Sequence, residues 1–305
     1  KIVANNSTSY DNVGIALTGS GYSSTTYTHY NTFENNLISG TYYGINSYSS
    51  GGNSTSSTGN VFRNNKVTSY YNYGIYNFYC YGTVLDGNEF INPRYQYNYP
   101  MYWYYNSKSE ITNNTIGDYY VYSFLCYYEN YYSQKDSSSM INNLVNGVSS
   151  YTSTTYGYGT YFYNPYNFKI WHNTFMYDAQ TPPSSATGTG VGAAFKAYYG
   201  YGWDIQNNIF YTPMAIAGAA PLFLYNPYSI VAIEGNNYVH PSGIVANISG
   251  TNLSSIAALQ SSLSGTNKVA YTEPVYFAGN KDFHLSTTKQ NLRGTNIGIA
   301  TDIDG

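Results

Sequence analysis

The sequence predicts a single elongated all-β domain, a solenoid of about nine stacked coils. The first observation is an internal repeat that reads apolar residue, two residues, Asn, one residue, apolar residue. The second is its period, because successive copies lie 23 to 35 residues apart, the size of one solenoid coil with loops of variable length. The third is the length of the chain. A chain of 305 residues would ordinarily suggest two domains, but a solenoid lengthens one continuous core by adding coils, so we expect one elongated domain.

The repeated asparagines define one position of every predicted coil. A degenerate first copy contains Asn6, and the copy Phe33-Glu34-Asn35-Asn36-Leu37-Ile38 shows the full pattern. The predicted structural ladder consists of Asn36, Asn65, Asn88, Asn114, Asn143, Asn173, Asn208 and Asn236.

The repeat has a simple physical explanation. Strand side chains alternate between two faces, so a turn between two short strands lets both flanking apolar residues point inward. An Asn at that turn offers donors and an acceptor to its copies on neighbouring coils, and it tolerates left-handed backbone conformation. With this pattern, residues 1–245 resemble the right-handed parallel β-helix family, in which inward Asn residues stack. That architecture serves lyases, hydrolases and adhesins alike, so the resemblance implies a fold rather than a reaction.

The first coils also predict a second strand. Val13-Gly14-Ile15, Tyr43-Gly44-Ile45 and Tyr73-Gly74-Ile75 follow the Asn at nearly constant distance, with each Ile facing inward. The Ser-rich pieces at 20–28 and 47–58 are predicted loops.

The middle of the chain is rich in tyrosine, with 19 of the 42 Tyr between Tyr70 and Tyr132. Residues 100–105 and 121–128 predict strands that are aromatic on both faces. Further on, 181–190 predicts a long loop. The matching turns at 163–166 and 225–228 contain Pro and predict corners.

The last segment, 246–305, is predicted to close the solenoid. Apolar residues at three- and four-residue spacing predict a short amphipathic helix over 253–264. The stretches 273–277, 282–286, 294–298 and 301–305 resemble the closing segment of secreted or surface β-helix proteins of the Bacteroidetes type. This resemblance implies an extracellular or cell-surface location. The abrupt end after Gly305 reads as a mature piece or a fragment.

The amino-acid composition argues against two classes of partner, nucleic acid and the membrane interior. The chain has 12 basic and 15 acidic residues and a formal net charge of −3, with no basic cluster, so we expect no nucleic-acid binding. No run of 18 apolar residues occurs, so we expect no membrane insertion. Cys80 and Cys126 fall two coils apart, too far for a disulfide, and are expected to be free.

Catalytic patterns are sparse. Neither adjacent aspartates nor an Arg-x-Lys near a His occurs, and the four His share no zinc-ligand spacing, so no metal or cofactor is expected. Asp86, Glu89, Arg94, Asp118, Glu129, Lys135 and Asp136 lie near the aromatic coils. A polysaccharide lyase or glycoside hydrolase acting on an acidic polysaccharide therefore stays open as the alternative.

The favoured hypothesis is a non-catalytic stalk, adhesin or filament module. Its tyrosines exceed what a narrow core can hold, and the excess would form a surface that binds polysaccharide or another copy of the chain. The competing interpretation is that these rings only stack on one another and stabilise the sheet. The candidate contact residues are Tyr76, Tyr79, Tyr102, Tyr104, Tyr127 and Tyr128.

Overall fold

The structure is a computed structural model. It describes residues 1–6, 8–17, 27–49, 57–95, 97–117, 122–149, 159–179, 192–213, 219–263, 270–272, 277–279 and 282–285.

The described chain is nearly all β and forms three long parallel sheets in a solenoid-like arrangement. We number these sheets 1 to 3 and give their strands below. Along the chain, a strand of sheet 3 is followed by a strand of sheet 1 and then by a strand of sheet 2, and the cycle repeats. Sheet 1 contains Ile2–Val3, Leu37–Ser39, Lys66–Thr68, Glu89–Ile91, Thr115–Gly117, Leu144–Ser149, Thr174–Ala179, Ile209–Tyr211, Asn236–Val239 and Ala270–Tyr271. Sheet 2 contains Val13–Leu17, Tyr43–Tyr48, Tyr73–Phe78, Tyr99–Tyr104, Phe124–Tyr127, Thr160–Tyr163, Phe195–Tyr198, Leu222–Tyr225, Ala246–Ile248 and Thr251–Leu253. Sheet 3 contains Thr32–Glu34, Val61–Arg63, Val84–Asp86, Glu110–Thr112, Ser138–Ile141, Phe168–Trp171, Trp203–Gln206 and Ile230–Glu234.

The remaining elements are short. Ser57–Thr58 pairs in parallel with Cys80–Tyr81, and Phe277–Gly279 pairs antiparallel with Asp282–Leu285. Sheet 2 ends on an antiparallel pair, Ala246–Ile248 with Thr251–Leu253. The helix predicted over 253–264 is present as Ile256–Ser262, and the Ser255 hydroxyl caps it by accepting the N–H of Ala258. No helix of the described residues has the length and apolarity required to cross a membrane.

The core is built from the apolar positions of the repeat. In the copies from Asn65 to Asn236 both flanking apolar side chains are buried, from Phe62 and Val67 to Ile233 and Tyr238. The second strand also begins as predicted, since Ile15, Ile45 and Ile75 are in register. A Cβ on Gly44 would lie 2.2 Å from Val67 Cγ1, so the sheets approach there as closely as Gly allows.

The repeated asparagines are joined by hydrogen bonds from coil to coil. Nδ2 of each donates to Oδ1 of the next at 2.9 to 3.0 Å, from Asn36 through Asn65, Asn88, Asn114, Asn143, Asn173 and Asn208 to Asn236. The same Oδ1 also accepts the backbone N–H of the preceding Asn, as Asn114 does from Asn88 at 2.9 Å. Each Nδ2 from Asn65 onward also donates to a main-chain carbonyl, as that of Asn114 does to Leu85 at 2.9 Å. Buried amides along this row, which we call the Asn row, are therefore satisfied through bonds to neighbouring coils.

The left-handed residue of each turn is not the repeated Asn but the residue before it. Asn35, Asn64, Gly87, Asn113, Asn142, His172, Asn207 and Gly235 all have φ between 51° and 70°. The two tasks that the sequence analysis gave to one residue are thus divided: one position bends the chain and the next bonds between coils.

Several predicted boundaries differ. Strands extend into the predicted loop 47–58 at both ends, through Tyr48 and from Ser57. The strand predicted from Val121 begins at Phe124. The loop at 181–190, most of the loop at 20–28, Asp118 and most of the segment after residue 263 lie outside the described residues.

Candidate functional site

The outer side of sheet 2 carries tyrosines in rows that follow the strand register. We call it the aromatic face. Its first row is Tyr43, Tyr73 and Tyr99. Its second row is Tyr76, Tyr102, Leu125, Tyr161, Lys196 and Phe223. Its third row is Tyr48, Phe78, Tyr104, Tyr127, Tyr163, Tyr198 and Tyr225.

A fourth row lies at the turn that follows sheet 2. Tyr79, Tyr105 and Tyr128 stand there on successive coils, with φ of 53°, 52° and 58°. Their backbone N–H groups still donate to the next coil, as Tyr105 does to the Tyr127 carbonyl at 2.9 Å. The ladder bonding therefore holds bulky residues in a conformation that they rarely adopt.

The rings stack on one another along the solenoid. Tyr43 and Tyr73 have centroids 5.0 Å apart with planes at 5°, and Tyr76 and Tyr102 are 5.1 Å apart at 12°. Parallel rings at this distance cover each other's faces. Because side chains stand roughly perpendicular to a sheet, the stacked rings turn their edges and hydroxyl groups outward. The surface presents rows of hydroxyl-tipped edges, spaced like the strands.

This stacking order changes at one coil. The Tyr127 ring is tilted by 58° from that of Tyr104 and by 48° from that of Tyr163. It stands nearly perpendicular to Tyr161, at 85°. Rings of the aromatic face therefore change orientation around Phe124–Tyr127: the rings before this strand are stacked in parallel, and those around it are tilted or perpendicular.

All six predicted contact residues lie together on this side of the molecule. Tyr76, Tyr102, Tyr104 and Tyr127 stand on strands of the aromatic face, whereas Tyr79 and Tyr128 belong to the turn row. All six are half-buried rather than widely exposed, because neighbouring rings cover them. Stacking leaves the ring edges and the hydroxyl groups as their accessible parts.

Burial raises the pKa of five tyrosines in the second, third and turn rows. Desolvation raises the pKa of Tyr105 and of Tyr127 to about 12, with a further contribution from neighbouring tyrosines. Desolvation likewise raises the pKa of Tyr79, Tyr102 and Tyr128. Throughout the physiological range these groups are uncharged hydrogen-bond donors and acceptors.

The aromatic surface was predicted between Tyr70 and Tyr132, but the strand register extends it beyond Tyr132. Tyr161, Tyr163, Tyr198, Phe223 and Tyr225 continue its rows. The repeated turns at 163–166 and 225–228 contained the signal, because each begins with the Tyr that ends a sheet 2 strand.

Lys196 is the basic side chain of the three rows. Its Nζ lies 5.4, 4.9 and 5.6 Å from the ring centroids of Tyr161, Tyr198 and Phe223. The residue is 3% exposed, and desolvation lowers the pKa of its amine to about 7. Lys196 thus adds less than a full charge near neutral pH, and it is packed among rings.

Two ion pairs lie on sheets 1 and 3. Arg63 pairs with Asp86 at 3.2 Å on sheet 3, and Lys66 pairs with Glu89 at 2.5 Å on sheet 1. Arg94 donates to the carbonyls of Ser69 and Asn6. Asp86 and Glu89 are therefore each paired with a separate basic residue. In the described ranges no three His, Cys, Asp or Glu side chains converge to hold a metal.

Glu129 is a described carboxyl group whose pKa is strongly raised. It is fully buried, and its Oε1 accepts bonds from the Ser138 hydroxyl at 2.6 Å and the Ser109 N–H at 3.3 Å. Desolvation raises the pKa of this carboxyl to about 7. A pKa near 7 suits a general acid, but a group enclosed inside the coil does not meet a polymer on the surface.

The fold and the surface define a solenoid-like all-β protein with a tyrosine-rich face whose one basic residue, Lys196, is buried among rings. Comparison of the chain with protein-family models, with curated proteins and with solved structures finds no match.

Proposed function

We propose that this chain is a non-catalytic extracellular or cell-surface module that binds extended, neutral polysaccharide along its aromatic face. The observation that carries the proposal is the combination of in-register Tyr rows with a single basic member of those rows, the buried Lys196. Rows of neutral hydroxyls suit a ligand that is itself a row of hydroxyls.

The spacing supports an extended polymer. Strands lie about 4.8 Å apart, and an extended β-linked hexose chain advances by nearly the same distance per sugar. A polymer lying along the solenoid would meet one set of tyrosyl hydroxyls per sugar. Each contact is a modest hydrogen bond, so affinity would come from many repeats of it.

In the same proposal, the scaffold is a right-handed parallel β-helix of about nine coils, with the Asn row as its inward ladder. The parallel pairing of three sheets and the coil-to-coil amide bonds support it. A rigid scaffold of this kind would hold the tyrosyl hydroxyls in place before the ligand arrives.

The experiment compares the wild type with the double variant Tyr102→Ser/Tyr104→Ser on neutral polysaccharides (cellulose, xylan, mannan) and acidic ones (pectate, alginate). We expect the wild type to bind a neutral polymer and the double variant to bind it at least tenfold more weakly. The control is Trp171→Ser, an aromatic residue on sheet 3, and it should bind like the wild type. Circular dichroism and melting curves verify that each variant is folded.

Salt dependence gives an independent readout. Binding through neutral hydroxyls should be nearly the same at low and at high ionic strength, whereas binding through charges weakens with salt. Unchanged binding in the double variant would overturn the proposal. Concentration-dependent association in sedimentation without glycan binding would point to a second copy as the partner. Release of unsaturated sugars or new reducing ends from pectate or alginate would favour the lyase or hydrolase alternative.

A further inference from the structure

A separate row of tyrosines runs along the corner between sheets 2 and 3. Tyr166 and Tyr201 are joined by a parallel bridge, and their rings stack at 4.9 Å with planes at 16°. Tyr201 stacks in turn on Tyr228, at 4.8 Å and 23°. Among the described residues this corner row ends at Tyr228.

Tyr228 is covered on one side. Its two stacking partners, Tyr199 and Tyr201, both belong to the preceding coil, with centroids 5.6 and 4.8 Å away. No described ring stacks on it from the following coil. The side chain is 55% exposed, and it lines an open cleft. The ring therefore turns its second face to that cleft, unlike the rings within the stacks.

The cleft measures about 600 Å³, within the range of small-molecule sites. Apart from Tyr228 it is lined by Asn226, Pro227, Ser229, Ile230, Ile248, Ser249, Ser262 and Leu263. None of these side chains carries a charge. A phosphate or carboxylate ligand would thus find no partner charge here, whereas a neutral polar ligand would lose little on entry.

The polar groups leave bonding capacity for such a ligand. The Ser249 hydroxyl accepts the Asn226 N–H at 3.1 Å and keeps its own proton to donate. The Ser262 hydroxyl donates to the Leu259 carbonyl at 3.0 Å and keeps its lone pairs to accept. The cleft thus combines a free aromatic face with one available donor and one available acceptor.

We propose that this cleft binds one neutral hexopyranose unit, with the sugar's C–H side packed on the free face of Tyr228. The face of an aromatic ring is its negative part and attracts the weakly positive C–H groups of a pyranose. The serine hydroxyls are placed to bond the sugar hydroxyls at the rim. This site is distinct from the aromatic face and does not depend on polysaccharide binding there.

The experiment is saturation-transfer difference NMR on the full chain with the methyl β-glycosides of glucose and galactose and methyl α-mannoside. We expect transfer to at least one of them, strongest at ring C–H protons. Tyr228→Leu removes the aromatic face and should weaken binding about tenfold. Ser229→Trp fills the cleft and should abolish it. Tyr10→Leu, at another exposed Tyr, should bind like the wild type.

Two outcomes would overturn the proposal: no transfer to any of the three glycosides, or equal binding by wild type, Tyr228→Leu and Ser229→Trp. The double variant Tyr102→Ser/Tyr104→Ser separates the two sites. Its expected result is loss of polysaccharide binding with monosaccharide transfer retained. Loss of monosaccharide transfer in that variant alone would place the sugar on the aromatic face and reject the cleft.

Discussion

The ring of Tyr105 lies parallel to the ring of Tyr128, with centroids 4.6 Å apart and planes at 9°. Both residues have a left-handed backbone, a conformation that costs an ordinary side chain about 1–2 kcal/mol. Their stacking and their bonds to the next coil offset that cost. The turn row is thus held in place by contacts between coils rather than by local preference.

The first prediction concerns this contact. A double-mutant cycle of Tyr105→Ala and Tyr128→Ala should give a coupling free energy of about 0.5–1.5 kcal/mol, because stacked aromatic pairs contribute that much beyond simple burial. The measurement is chemical unfolding of the four proteins. Tyr105→Ala with Tyr10→Ala, which are not in contact, should be additive, and equal coupling in both cycles would contradict the stacking explanation.

The second prediction uses backbone strain at the same turn. The Tyr105→Gly variant should be more stable than the Tyr105→Ala variant, because glycine adopts positive φ without steric cost. The expected difference in the free energy of unfolding, measured with denaturant, is about 1 kcal/mol. Tyr102, within the preceding strand, provides the control. There the order should reverse, with the Gly variant less stable than the Ala variant. The same order at both positions would reject the strain argument.

The third prediction concerns the Asn row. Asn114→Ala removes an acceptor used by two groups of Asn88 and the donor to Asn143 and Leu85, all buried. We expect a loss of at least about 2 kcal/mol in the free energy of unfolding. Thr115→Ala, the next residue along the chain, should cost far less. Comparable losses would mean that the amide bonds contribute little to stability.

The fourth prediction is a pH dependence set by Glu129. Its pKa is raised from 4.5 to about 7 in the folded chain, so the folded state binds the proton more tightly than the unfolded state. The stabilisation is complete below about pH 4.5 and is lost as pH rises through 7, by about 3 kcal/mol in total. Glu129→Gln should remove this fall in the free energy of unfolding between about pH 5 and pH 7. An unaltered slope in Glu129→Gln would show that this carboxyl is ionised when folded.

The fifth prediction concerns the thiols. Cys80 and Cys126 are free and buried, as expected from their separation, and burial raises the pKa of Cys80 to about 11. A thiol reagent at neutral pH should react slowly with the native protein. After unfolding without a reductant it should titrate two groups rapidly. Absence of reactive thiols after unfolding would reveal a disulfide.

The repeat was enough to locate the parallel strands and their inward residues. Side chains alternate between the two faces of a strand, so burial of one face fixes which residues of each short strand point inward. Ring orientation could not be derived in the same way. Whether Tyr76 stacks face to face on Tyr102 depends on side-chain rotamers chosen by the whole row. The place of Lys196 among the rings was also hidden, since loops of unequal length separate it from Tyr161 and Phe223 and obscure their alignment.

The exposure of Tyr228 at the end of the corner row could not be predicted from the sequence for a related reason. The turn at 225–228 is nearly identical to the turn at 163–166, so the sequence offered no ground to distinguish Tyr228 from Tyr166. Only the next coil differs. Where Tyr166 is covered by Tyr201, Tyr228 meets a cleft formed by the turn at Ser249 and the end of the helix.

In the Asn row, the amide-to-amide hydrogen bonds all run the same way, from Asn36 towards Asn236. Each coil therefore repeats the same set of bonds to its two neighbours, and a coil with this arrangement fits between two others. A gene for such a chain can gain or lose a coil by duplication or deletion, with new junctions resembling old ones. We expect natural variants of this architecture to differ in length by whole coils, with each sheet keeping its register.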